Sequence, residues 1–151
     1  MLYRIKQLHW ALTHQLTPTE REWIDRALND AQRPFFYALH PADQAHAFRV
    51  AQSVRLNAAY GKLPPWEKKL TAQLALLHDI GRAKSRFLII KKILHVMFST
   101  LPGLKALAPF KGHEARGAEM MRKAGIADVA ELLANPTHPL SKIVTWADNF
   151  N

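Results

Sequence analysis

The chain has 151 residues, no cysteine and a formal charge of +9. That length suits one domain with a real core, so residues 1–151 are expected to form a single helical domain. Without cysteine, a disulfide, a thiol nucleophile and a cysteine-rich zinc site are all excluded, and any metal must be held by nitrogen and oxygen ligands. The charge is uneven: residues 82–123 carry ten Lys/Arg and two Glu, a local excess of +8. Such a field favours phosphate-bearing partners such as nucleotides, nucleic acid or anionic lipid, although a solvated basic face accounts for it equally well.

The first segment, "MLYRIKQLHWALTHQL", mixes polar and apolar residues and lacks the apolar stretch of a secretory signal. With the absence of cysteine, this makes a cytoplasmic location the expectation. "LTPTEREWIDRALNDAQ" opens with a helix start: Thr17 as N-cap, Pro18 as first helical residue and Glu20 closing a capping box. Trp23, Ile24, Ala27 and Leu28 then form an apolar stripe at helical spacing. In "RPFFYALHPADQ", Phe35 and Phe36 are expected to plug the core and Pro41 to start another helix.

"ADQAHAFRVAQSVRLNAAYG" reads as one helix of about four turns, with Ala47, Val50, Ala51, Val54 and Ala58 inward and His46 bordering that stripe. After Gly61, Pro64 and Pro65, the next helix runs from about Trp66 to Asp79. Leu70, Leu74 and Leu77 face inward, and His78 stands four residues after Leu74. Gly81 is placed to end it. "RFLIIKKILHVMFSTLPG" reads as a further helix, too polar for a membrane span because of Lys91, Lys92 and His95. The segment from Phe87 to Phe110 fits ordinary core packing, a cover over a site, a membrane-surface contact or a homodimer surface. "KGHEARGAEMMRKAGI" follows as a helix with Ala118, Met120 and Met121 as packing residues and Gly125 as its stop. "DVAELLAN" is a short helix ended by Pro136. "HPLSKIVTWADNF" is the last, with Ile143, Val144 and Ala147 inward and Asp148 at the edge of that face. The class is all-α.

His46, the His78–Asp79 doublet and Asp148 share one oddity: each lies at or beside a core-facing stripe. Buried charges are costly unless compensated. A divalent metal at which all four meet would explain them, and two imidazoles with two carboxylates suit iron, manganese, zinc, cobalt or nickel. Neighbouring helix residues point about 100° apart, so His78 and Asp79 can share an ion only if the helix ends there. Taken singly, His78 reads better as a boundary histidine bonded to a carbonyl, and Asp79 as a residue of the last turn.

"HDIG" at 78–81 resembles the signature of the HD-domain superfamily of metal-dependent phosphohydrolases. His46 in "DQAHAFRVA" matches the family's first histidine, His78 and Asp79 its central doublet, and Asp148 in "IVTWADNF" its final aspartate, so the resemblance spans residues 43–148. It implies a helical HD-type bundle in which these four residues are metal ligands. "GHEARGAEMMRKAG" is similar to the segment that supplies a second-metal histidine, here His113, with Gly117 and Ala118 also fitting. His138 in "NPTHP" stands one or two positions from where the next such histidine is expected. Arg82 replaces the lysine that many relatives carry after the motif, and the Gly-Tyr-Pro element of the cyclic-dinucleotide phosphodiesterases is absent.

The implied activity is hydrolysis of a nucleotide or other small phosphorylated compound with one or two divalent ions. Asp79 and Arg82 are the expected catalytic residues. Arg82, Lys84 and Lys111 are expected to meet substrate phosphate, with Arg86 a weaker candidate. Glu114 reads as a proton relay or as a helix-start glutamate. A second reading is a regulatory module of the same fold that binds metal and an anion without turnover. A basic helical nucleic-acid binder is a third, disfavoured by the scarcity of stacking aromatics in the basic segment.

Overall fold

The structure is a computed structural model and describes residues 15–82 and 113–151. Among these residues every regular element is helical, and the helices form one bundle. They are α1 (Pro18–Ala27), α2 (Arg33–Tyr37), α3 (Pro41–Ser53), α4 (Ala58–Gly61), α5 (Pro65–Leu77), α6 (His113–Lys123), α7 (Ala127–Ala134) and α8 (Pro139–Phe150). Short 3-10 turns lie at Val54–Leu56 and Ile80–Arg82.

The capping box of α1 is formed on both sides. The Glu20 N–H donates to Thr17 Oγ1, and the Thr17 N–H donates to Glu20 Oε2 at 2.7 Å. Phe36 is fully buried, while Phe35 packs against the core from a partly exposed position. Gln44 reaches back from α3 and donates to the carbonyl of Leu39 at 2.8 Å, satisfying part of the link between α2 and α3.

The long helix expected to reach Tyr60 is interrupted at Asn57. The Asn57 side chain accepts the Ala59 N–H at 2.9 Å and becomes the N-cap of α4. Asparagine offers the backbone this local alternative to helical pairing, which apolar periodicity does not register.

Helix α5 occupies the centre. Periodicity assigns it one inner face, yet Thr71 through Leu77 are all buried, because α1, α2, α3, α7 and α8 pack around it. A helix buried all round needs apolar or internally satisfied residues on every side. Accordingly, Thr71 Oγ1 donates to the carbonyl of Glu67 at 2.7 Å, and the Gln73 amide to that of Ala27 at 3.0 Å. Leu70 is only partly buried.

Helix α6 packs on α7 and on the turn Ile80–Arg82. Gly117 permits the second contact: a Cβ there would meet Ile80 Cγ1 at 3.2 Å, Leu133 Cδ1 at 3.5 Å and the Gly81 nitrogen at 3.5 Å. Gly125 terminates α6 at φ 75°. Its N–H donates to Arg122 O and the Ile126 N–H to Met121 O, the paired bonds of a Schellman cap. Met121 and Ala118 are buried beneath it; Met120 is only partly so. No helix among the described residues is long and apolar enough to cross a membrane. The segment from Phe87 to Phe110 lies outside the described residues.

Candidate metal centre

His46 sits in the second turn of α3, on the same side as buried Val50. His78 is the C-cap of α5, and Asp79 follows it before the turn Ile80–Arg82. Asp148 is in the last turn of α8, which packs against both α3 and α5. Three packed helices therefore bring these side chains to one place. The doublet's directional problem is resolved as the sequence requires: α5 stops at Leu77. It stops by tightening into a 3-10 turn that contains Gly81, rather than through the left-handed glycine cap expected of Gly81.

One ligand atom from each of His46, His78 and Asp79 lies within 4.8 Å of the other two. Nε2 of His46 donates to Oδ1 of Asp148 at 2.8 Å. Nε2 of His78 is 3.5 Å from Asp79 Oδ1 and 3.7 Å from Asp148 Oδ1, beyond good hydrogen-bond length. The two imidazole rings are 5.6 Å apart and tilted by 59°. Asp79 is 1% exposed, whereas Asp148 keeps 40% of its side chain open.

The second ring nitrogen of His78 defines its tautomer. A carbonyl only accepts, so the 2.7 Å contact between Nδ1 and Ala75 O requires the proton on Nδ1. The neutral ring then presents the Nε2 lone pair to the cluster. That atom is buried without a hydrogen-bond partner. A lone pair facing two carboxylates is stabilised by a cation or by a proton, and a backbone bond on the opposite nitrogen is the usual orientation of a metal-binding histidine. The carbonyl-bonded boundary histidine and the ligand are thus one arrangement, not alternatives.

The electrostatics agree. Burial alone would lower the His78 pKa, but the Asp79 and Asp148 carboxylates outweigh it, and the net shift is upward. The hydrogen bond from His46, with His78 adding to it, holds the Asp148 carboxyl well below the usual carboxylate range. Two imidazoles and at least one carboxylate, one nitrogen buried and unsatisfied, fit a single divalent ion.

Of the remaining expected ligands and phosphate contacts, only His138 has a described side chain. His113 opens α6 and Arg82 ends the turn Ile80–Arg82. His138 is the N-cap of α8, where its Nδ1 accepts the Leu140 N–H at 3.2 Å. Among the described residues it joins no cluster of three ligands. Lys84, Arg86 and Lys111 lie outside the described residues.

A cavity of about 120 Å³ adjoins the centre, and His78 and Asp148 belong to both. Its other walls include Leu74, Leu132, Leu133, Val144 and two hydroxyl residues of α8, Ser141 and Thr145. Sequence reading left the hydroxyls out, although Ser141, Thr145 and Asp148 recur at helical spacing. Glu114 also lines the cavity and is exposed.

An all-helical bundle that gathers a histidine, a His-Asp doublet and a late aspartate defines a helical protein whose nitrogen and oxygen atoms could hold a cation. The family model for the HD domain matches residues 44–151, and the chain belongs to that family. Comparison with curated proteins and with solved structures returned no match.

Proposed function

We propose that the protein is a metal-dependent phosphohydrolase acting on a nucleotide or another small phosphorylated compound. The observation that carries this reading is the meeting of His46, His78 and Asp79 within 4.8 Å, with His78 also at the wall of a cavity, in a chain of the HD domain family. In this reading His46, His78, Asp79 and Asp148 hold one divalent ion, which when bound lowers the pKa of water and screens phosphoryl oxygens.

The chain's own groups do the rest. Ala75 O holds the proton of the neutral His78 ring on Nδ1, so that its Nε2 lone pair faces the site. Burial of Asp79 strengthens the attraction between its oxygens and any cation at the site, because little water is there to screen it. Asp148, more exposed and already an acceptor for His46, is the ligand able to exchange partners as substrate enters. Arg82, one residue past the motif, is assigned to the phosphate because a guanidinium can grip two of its oxygens. His113 and His138 are the candidates for a second ion, His138 through Nε2 because its Nδ1 serves the helix cap.

The test is hydrolysis of a panel of nucleotides and simple phosphate esters by metal-stripped protein, with and without manganese, iron, cobalt, nickel or zinc. Metal-dependent release of phosphate is expected. Stoichiometric metal binding with no turnover across the panel would replace this reading with that of a metal- and anion-binding regulatory module.

A further inference from the structure

The cavity beside the centre has a chemistry of its own. Leu74, Leu132, Leu133 and Val144 are each at most 6% exposed and form its apolar wall. Its hydroxyl protons are already committed. Ser141 Oγ donates to Leu132 O at 2.9 Å, and Thr145 Oγ1 donates to Ser141 O at 3.0 Å. What these groups still offer is oxygen lone pairs. Glu114 offers carboxylate oxygens, while His78 and Asp148 border the cavity as ligands of the proposed ion. Among the described lining residues there is no lysine or arginine.

A phosphate would therefore meet apolar carbon and acceptors that repel it. A neutral group carrying N–H or O–H donors would find acceptors at Ser141, Thr145 and Glu114. Size narrows the class further. An apolar cavity of about 150 Å³ is known to hold one benzene ring, and this one measures about 120 Å³. Its enclosed part has room for one small ring, and a second fused ring would extend past its mouth.

Resting on the phosphohydrolase reading, we infer that this cavity is the specificity subsite. It receives the neutral, donor-bearing end of the substrate, a single ring of pyrimidine or pentose size, while the phosphate lies towards His46 and Asp79. Thr145 at the mouth and Val144 in the wall are the residues that read this group.

The test uses non-hydrolysable phosphonates binding to manganese-loaded protein, measured by calorimetry. The ligands are phenyl-, aminophenyl-, tolyl- and naphthylphosphonate, each referred to inorganic phosphate on the same protein. Aminophenylphosphonate should bind about tenfold more tightly than the tolyl compound, as expected where a donor finds or lacks its partner. Naphthylphosphonate should fall below phenylphosphonate.

Val144→Phe, which fills the cavity, should bring the ring ligands to the level of inorganic phosphate. Thr145→Val, at an exposed position, should shrink the amino preference even if Val144→Phe fails to fold. Ring ligands that bind wild type without regard to size or donor overturn the subsite while leaving the phosphohydrolase reading intact. Absence of metal-dependent binding of inorganic phosphate and of every phosphonate removes both.

Discussion

Nε2 of His46 and Oδ1 of Asp148 are 2.8 Å apart although 102 residues separate them in the chain. This contact joins α3 to α8. A second contact supports it one turn on: the Asn151 amide donates to Ser53 Oγ at 2.9 Å and to Ala147 O at 2.8 Å. Hydrogen bonds of the protein itself thus tie α3 to α8 beside the centre, which reduces the ordering that ion binding must supply.

The His46–Asp148 bond makes metal-free stability depend on acid. The folded-state pKa of Asp148 is lowered, chiefly by His46. A carboxyl with a lowered folded pKa stabilises the fold above its unfolded value of about 4 and loses that contribution as pH falls below it. Urea unfolding of metal-free wild type and Asp148→Asn should show a stability gap at neutral pH that closes progressively in acid. A gap that stays constant with pH would contradict this.

Asp79 should control metal retention. A divalent ion at a hundredfold excess over its Kd should stabilise wild type by about 2.7 kcal/mol, visible as a rise in Tm on adding manganese. Asp79→Ala should show no such rise, and elemental analysis should find it depleted of metal. Full metal content in that variant would remove Asp79 from the ligand set.

Gly117 should matter through the doublet rather than through its own helix. Gly117→Ala gains about 1 kcal/mol in helix propensity against a tight 3.2 Å contact with Ile80, so its net effect should be small. Gly117→Val adds branches where Ile80, Gly81 and Leu133 already crowd, and should cost about 1–3 kcal/mol. Because the turn it pushes follows Asp79 directly, metal affinity should fall as well. Unfolding and metal titrations measured on both variants check this, and a valine variant with wild-type values for both would refute it.

Tyr37 should titrate late. Burial, then its 2.8 Å hydrogen bond to Asp25, pushes the phenol up to about 12. A raised phenol pKa means that stability is full below the unfolded value of about 10 and is lost as pH climbs through the folded one. Phenolate absorbance should show one of the three tyrosines ionising last in wild type. Asp25→Asn should bring that step to lower pH.

The helix starts and stops were local matters, and the sequence alone determined them. Thr17, Pro18 and Glu20 make a capping box, and Gly125 makes a Schellman cap, from residues only a few positions apart. The same holds for the apolar stripes of α1, α3 and α8, whose spacing is set by 3.6 residues per turn. Asn57 escaped because a single side-chain bond to Ala59 overrode an uninterrupted apolar pattern. The grouping of His46, His78, Asp79 and Asp148 was legible through the family resemblance and their half-buried positions. Only the tertiary structure decided that His46 meets Asp148, that Ala75 O sets the His78 tautomer, and that α5 is enclosed on all sides. It alone set an acceptor-lined cavity beside the centre. Those outcomes depend on how α3, α5, α7 and α8 cross, and crossing geometry follows from packing among residues far apart in the chain, to which no local spacing responds.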